Sequence, residues 1–351
     1  MSPRIRVAAS LTGACVVVVT ALLSGTGTSL AASSPAATRS VHAGAQPIHA
    51  LPTKSRAVAT AIAGTDTRVG APPMIYQGGS IARSMKVYAI YWNPGRLQDG
   101  TSTSYQSTTY SSLVNRFFVD FSKTKLANNL TQYYGYSGST PNVHIGVVHP
   151  FKGSFVDTTA FPVGDCSTFY TGVNCVSNYA LGREAAAVAR AHLIAAGTST
   201  EFFIFTPYGE GSCFYQAACA KGNGDAYGYY CAFHTYTTST YGSYPNLVYA
   251  NMPFPIAPGI NDCGAPSSPN HDQNADSVIN VTSHELNESI TDPLLNAWFD
   301  PSGYEIGDEC SWQFGPQLPS GGDVLWKGGT HPYWVQKEAS NSSANCVLAG
   351  P

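Results

Sequence analysis

Charge is what this chain has least of. Asp, Glu, Lys and Arg make up 11% of its 351 residues, against about 25% in an average soluble protein. The shortage is uneven, because no Lys or Arg occurs between Lys221 and Lys327 while twelve Asp and Glu fall in that interval. So acidic a stretch repels phosphate backbones and argues against nucleic-acid partners. A cation is its natural counter-charge. Other absences narrow the chemistry further. There is no C-x-x-C pair, which argues against a cysteine zinc site. There is no G-x-S-x-G elbow, phosphate loop or dinucleotide fingerprint. No methionine follows Met252, which excludes a metzincin Met-turn.

The N-terminus carries export information. Arg4 and Arg6 precede the apolar run VAASLTGACVVVVTALL (7–23), and small residues surround Leu30-Ala31-Ala32. This pattern predicts a signal peptide over 1–32 and a secreted, extracellular chain. The run is too short for a membrane anchor. Residues 33–72 are rich in Ala, Ser, Thr and Pro and poor in large apolar side chains. They read as a disordered linker or pro-segment, since little burial is on offer to offset ordering entropy. Residues 73–351 are long enough for one large domain with its own core, expected as a monomer.

Eight cysteines remain beyond Cys15. An even number in an exported chain implies disulfides, although eight cysteines allow 105 pairings. Cys166 with Cys175 would close a short loop, and Cys310 with Cys346 would tie down the C-terminus. Cysteine catalysis is disfavoured, because the thiols are expected to be oxidised.

Hydrophobic pattern supplies the fold class. MKVYAIYW (85–92), NVHIGVVHP (142–150), EFFIFTP (201–207) and NLVYANMP (246–253) read as strands. YSSLVNRFFVDFSKT (110–124) and ALGREAAAVARAHLIAAG (180–197) read as helices, the second capped by Gly197. Strand–helix alternation predicts an α/β domain, a mixed sheet with packed helices and disulfide-pinned loops.

The chemistry concentrates in ADSVINVTSHELNESITDP (275–293), predicted as a helix over about 277–291, with Asp276 capping its start and Pro293 ending it. His284 and Glu288 are four apart and so project from adjacent turns of one face, as two ligands of one ion must. Glu285 sits beside them, where a base acting on water would stand. The alternative is a solvated polar face. The later segment WFDPSGYEIGDEC (298–310) adds Glu305 and Asp308 as candidate third ligands. Zinc tolerates such a set, while its carboxylates also suit manganese or Ca2+. CAFH (231–234) brings His234 forward as a fourth ligand or oxyanion group, or as a structural histidine. Asp272, Asn274 and Asp276 alternate like the opening of a calcium loop, but the glycine and closing glutamate are missing.

From Tyr88 onward the chain resembles the bacterial branch of the phosphate-induced, EXORDIUM-like family of secreted proteins. The resemblance rests on YWNPG (91–95), CAFH (231–234), VYANMP (248–253), the surroundings of Cys263, the block from Val278 to Cys310, and WVQKEASNSSANCV (334–347). It implies a secreted α/β domain whose plant members are linked to cell-wall-associated growth control. Those members resemble this chain in the helix and its Thr-x-Pro end but lack the His and Glu residues, which implies a chemical reason for the charges here.

Two functions are therefore expected. One is a zincin-like, Zn2+-dependent hydrolase, a metallopeptidase acting on a peptide or protein substrate. In it His284, Glu288 and Asp308 or Glu305 hold the ion and Glu285 is the base. The other is a non-enzymatic extracellular module that binds a cell-wall component or a protein.

Overall fold

In the computed structural model the described residues are 48–63 and 71–350, apart from 104–105, 123, 147–149, 169, 215–218, 220–223 and 239–243. The expected signal peptide therefore lies outside the described residues. A six-stranded mixed sheet forms the centre. Its strands, numbered here in chain order, are β1 (His49–Pro52), β2 (Lys86–Trp92), β3 (Phe151–Asp157), β4 (Thr200–Phe205), β5 (Tyr230–Tyr236) and β6 (Val248–Met252). The spatial order is β1-β5-β6-β4-β2-β3. The run β6-β4-β2-β3 is parallel, whereas β5 is antiparallel to both β1 and β6. All six residues of β4 are buried, which is why Phe202–Phe205 form a continuous apolar run rather than an alternation.

The sheet's far edge departs from expectation. The strand expected at 142–150 is split: Thr140–His144 pairs in a separate hairpin, residues 147–149 lie outside the described set, and β3 follows. In β3 the pattern FKGSFVD alternates half-buried and exposed positions, the signature of an edge strand with one wet face.

Four longer helices among the described residues accompany the sheet. α2 (Thr108–Phe121) begins where the Ser107 hydroxyl accepts the Tyr110 N–H, and it buries Val114, Phe117, Phe118 and Phe121. Before it in the chain comes α1 (Lys54–Ala63). α3 (Asn178–Ala191) starts on the Ser177 cap and ends on the cap His192, five residues before the expected cap at Gly197. Leu193 turns out of the helix in the left-handed region with φ of 54°, so Gly197 is not its cap. α4 (Gln273–Thr291) packs against α2, β5 and β6. Its start also differs from expectation. Asp272, not Asp276, caps it, accepting the N–H groups of Asn274 and Ala275. Asp276 instead accepts bonds from Ser268 and Asn270 of the preceding loop.

The stretch expected to be a disordered linker holds β1 and α1. Backbone pairing with β5 satisfies the strand, and Leu51 becomes fully buried. The segment lacks the apolar content to fold alone. It does not need it, because an existing sheet edge supplies the hydrogen bonds and the core.

Four cysteine pairs lie at disulfide distance: Cys166–Cys175, Cys213–Cys219, Cys231–Cys263 and Cys310–Cys346. The third ties β5 to the loop leading into α4. The fourth ties the acidic segment after α4 to the C-terminal region.

Candidate metal centre

The SHELNESITDP stretch forms the last nine residues of α4 and the two that follow it, and no part of it faces water. His284, Glu285 and Glu288 are all 0% exposed, as are His234 of β5 and Glu305 of the following loop. Val278, Ile279, Leu286 and Ile290 fill the core. The polar side is covered by β5, β1 and the loop from Tyr304 to Cys310. A helix with two buried faces, one of them charged, must find partners for those charges.

Some uncharged groups on α4 find ordinary ones, although both amide atoms of Asn280, the Ser283 hydroxyl and Asn287 Oδ1 do not. The Ser289 hydroxyl donates to Glu201 Oε1 of β4 at 2.6 Å, and Asn287 Nδ2 donates to the Ser283 carbonyl and to Glu338 Oε1. The ionisable groups behave differently. His284 Nε2 lies 3.0 Å from Glu288 Oε1 and 3.7 Å from Asp308 Oδ1. His234 Nδ1 lies 3.2 Å from Glu285 Oε2 and 3.6 Å from Glu288 Oε2, and its Nε2 lies 3.7 Å from Glu305 Oε1. His49 of β1 completes the set, with Nδ1 3.1 Å from Glu305 Oε2. Close as these atoms are, few are aligned to bond each other. Both ring nitrogens of His284, both oxygens of Glu305, Glu285 Oε1 and Glu288 Oε2 are buried without a hydrogen-bond partner among the described residues.

Buried donors that approach without bonding are what ligands of a common ion look like. Bonds of about 2.1 Å in a tetrahedron place neighbouring donors about 3.4 Å apart, and the spacings above bracket that value. Three overlapping groups have donor atoms within 4.8 Å of one another: His284, Glu285 and Glu288; His234, Glu288 and Glu305; His49, Glu305 and Asp308. Glu288 belongs to two of them and Glu305 to two. The donor set, with three imidazoles and four carboxylates, could thus hold a divalent cation.

Proton affinities show the same excess of negative charge. Burial alone would lower the His284 pKa, but Glu288, Glu285 and Asp308 outweigh it and raise the value to about 10. His234 is likewise opposed by burial yet held well above its ordinary value by Glu305, Glu285 and Glu288. Burial pushes Glu305 and Asp308 well up, whereas the adjacent imidazoles overcome burial at Glu288 and hold it low.

The loop reaches the helix because of one glycine. A Cβ at Gly307 would sit 2.6 Å from His284 Nδ1 and 2.9 Å from Glu288 Oε1. The bare backbone lets the Asp308 N–H donate to Glu288 Oε1 at 2.9 Å. Cys310, bonded to Cys346, anchors the far end of this turn.

The sequence-derived residues Glu285, His284, Glu288, Glu305, Asp308 and His234 are therefore all brought together. Sequence reading missed His49, Gly307 and the buried carboxylates of Asp292 and Glu338. Only Gly307 carried a signal, as the glycine set between Glu305 and Asp308. The calcium-like trio does not converge in this way, because Asp272 and Asp276 are engaged in the cap and loop bonds described above.

Comparison with known proteins gives two partial likenesses. The chain is 33% identical to Protein EXORDIUM-like 5 of Arabidopsis thaliana over 24% of its own length and 28% of that protein. It is 31% identical to Protein EXORDIUM-like 3 of the same plant over 26% of this chain and 32% of the relative. The chain thus spans about a third or less of the curated relatives it matches. No family model matches, and no solved structure matches.

Proposed function

We propose that this chain is an exported, metal-binding protein of EXORDIUM-like character, with a non-enzymatic extracellular role in its closed form. The observation that carries this reading is the convergence of His234, His284, Glu288 and Glu305, all fully buried, with donor atoms of His284, Glu288 and Glu305 left unmatched. Sealed carboxylates in such number are costly unless a cation neutralises them. Zinc is the proposed ion, and a cell-wall component or protein is the proposed partner. The four cysteine pairs suit an oxidising exterior. Among the described residues no helix is long and apolar enough to cross a membrane.

The test is elemental mass spectrometry on secreted protein and on a His284→Ala variant. About one zinc per chain, lost in the variant, supports the centre. Absence of any transition metal from both preparations rejects it.

A second reading, a zincin-like metallopeptidase, draws on Glu285. Its Oε1 is unpartnered while Oε2 is held by His234 Nδ1, which orients the carboxyl as a positioned base requires. A bound zinc would supply acidified water and carbonyl polarisation. Glu285 Oε1 would accept the proton, and His234 would keep the carboxyl in place. This reading needs substrate access, and the full burial of His234, His284, Glu285, Glu288 and Glu305 weighs against that.

A further inference from the structure

The centre is covered on one side by β1, a short strand at the edge of the sheet. β1 is four residues long, sits at the sheet edge, and ends at Pro52, which cannot donate to a ladder. His49 is paired with His234 in the antiparallel register, Ala50 with Phe233 and Leu51 with Ala232, before the register shifts at Pro52. Its imidazole reaches Glu305 from the outer side and is the partly exposed member of that pair, at 12% against 0%. Beyond the strand the chain is held by polar contacts at its surface. Trp312 Nε1 donates to the Pro52 carbonyl, and the Ser55 N–H and hydroxyl donate to the Asp262 carboxylate.

We infer that β1 is a strap occupying a binding site for an extended peptide along the edge of β5, with His49 as a donor that closes the metal centre. This rests on the metal-binding reading for His49 but not for the peptide site. Three features define the ligand. The edge offers main-chain hydrogen bonds to any antiparallel strand. An apolar pocket takes the residue at the Leu51 position, which is 0% exposed. Two positions earlier, a residue with a nitrogen donor meets the buried carboxylate of Glu305. The favoured occupant is therefore an extended segment with the spacing donor-x-apolar, as in His49-Ala50-Leu51. A covalently attached strand has a high effective concentration, so an incoming peptide binds well only when the strap is weakened.

The experiment uses the full secreted chain in three forms: wild type, His49→Ala, and Leu51→Asp. Retained folding of each is checked by circular dichroism. The first readout is fluorescence anisotropy with a labelled peptide of residues 48–53, Ile-His-Ala-Leu-Pro-Thr, against the same peptide with Asp for Leu. Leu51→Asp is expected to bind the unaltered peptide at least about tenfold more tightly than wild type, and the altered peptide weakly. Equal binding to all forms, or none to any, overturns the peptide site. The second readout is the rate at which a chelator strips zinc. His49→Ala is expected to lose zinc at least about tenfold faster. An unchanged rate at full loading overturns the role of His49. Absence of zinc from wild type rejects the metal centre itself and leaves the peptide readout to decide the strap.

Discussion

His49 and His234 stand directly opposite each other on antiparallel strands, and their imidazoles approach the two oxygens of one carboxylate, Glu305. One histidine comes from the N-terminal strand and the other from the core of the sheet. Glu305 is therefore shared between the part of the molecule that forms the centre and the part that covers it. Removing the negative charge with Glu305→Gln should weaken both associations. The expected outcome is lower zinc loading together with faster hydrogen exchange of the β1 amides, read by mass spectrometry. Faster exchange with unchanged loading would place Glu305 in the strap alone.

Gly307 supports a sharper geometric prediction. Since its missing Cβ leaves room for His284 and Glu288, Gly307→Ala must push the loop off the helix or drive His284 from its position. Overpacking of a tight site costs about 1–3 kcal/mol, and the Asp308–Glu288 bond is lost with it. Thermal unfolding should show a lower midpoint and a smaller shift on adding zinc. A variant that melts and loads like wild type would mean the loop yields freely.

Much of this site was legible in the sequence and much of the fold around it was not. The spacing of His284 and Glu288 survives because helical periodicity is local, and the acidic block follows within a short loop. The apolar runs of β2, β4 and β6 are visible because buried parallel strands need no alternation. By contrast, His49 lies in a stretch whose composition favours disorder. Its order comes from an edge built by residues nearly 200 positions away, as the pairing with His234 shows. The helix start was misplaced for a related reason. Asp272 and Asp276 are equally good caps by type, and the Ser268–Asn270 loop decides which one is free to serve.

Metal removal should lower stability in a pH-dependent way. If zinc is present at a hundredfold above its dissociation constant, it stabilises the folded state by about 2.7 kcal/mol. At about 2–4 °C per kcal/mol for a domain of this size, chelation should drop the melting midpoint by roughly 5–10 °C at neutral pH. The drop should shrink towards pH 5, because protons then compete for the imidazoles and carboxylates. A chelator effect that is the same at both pH values would point to a site outside this cluster.

Glu184 offers a pH test remote from the centre. It lies on α3 in a cavity of about 320 Å³ that Trp92, Tyr179 and Arg183 also line. Burial, with the negative charge of Asp157 adding to it, pushes its pKa up to about 8. The unfolded chain releases this proton near 4.5, so the folded state holds an extra proton between those values. Stability must then fall as pH rises from about 4.5 to 8, by at most about 5 kcal/mol at about 1.4 kcal/mol per unit. Glu184→Gln should gain at least about 1 kcal/mol at pH 8 in urea unfolding and nothing near pH 4. An equal change at both pH values would show packing rather than ionisation.

The decisive prediction for catalysis concerns Glu285, because its two oxygens have different surroundings. Oε2 is held by His234, so His234→Ala should free the carboxyl to rotate, while Glu285→Gln removes its basicity and keeps its shape. If the chain hydrolyses peptides once the strap is weakened, activity should be measured in the Leu51→Asp background with an internally quenched peptide library. Glu285→Gln should then retain zinc yet lose turnover by about two to four orders of magnitude, the usual contribution of a positioned base. His234→Ala should also lose turnover, and it alone should alter the pH profile of whatever activity remains. If no library member is cleaved by the unstrapped protein with zinc bound, the peptidase reading fails. The buried His and Glu groups are then explained by ion binding alone, with Glu285 as a ligand rather than a base.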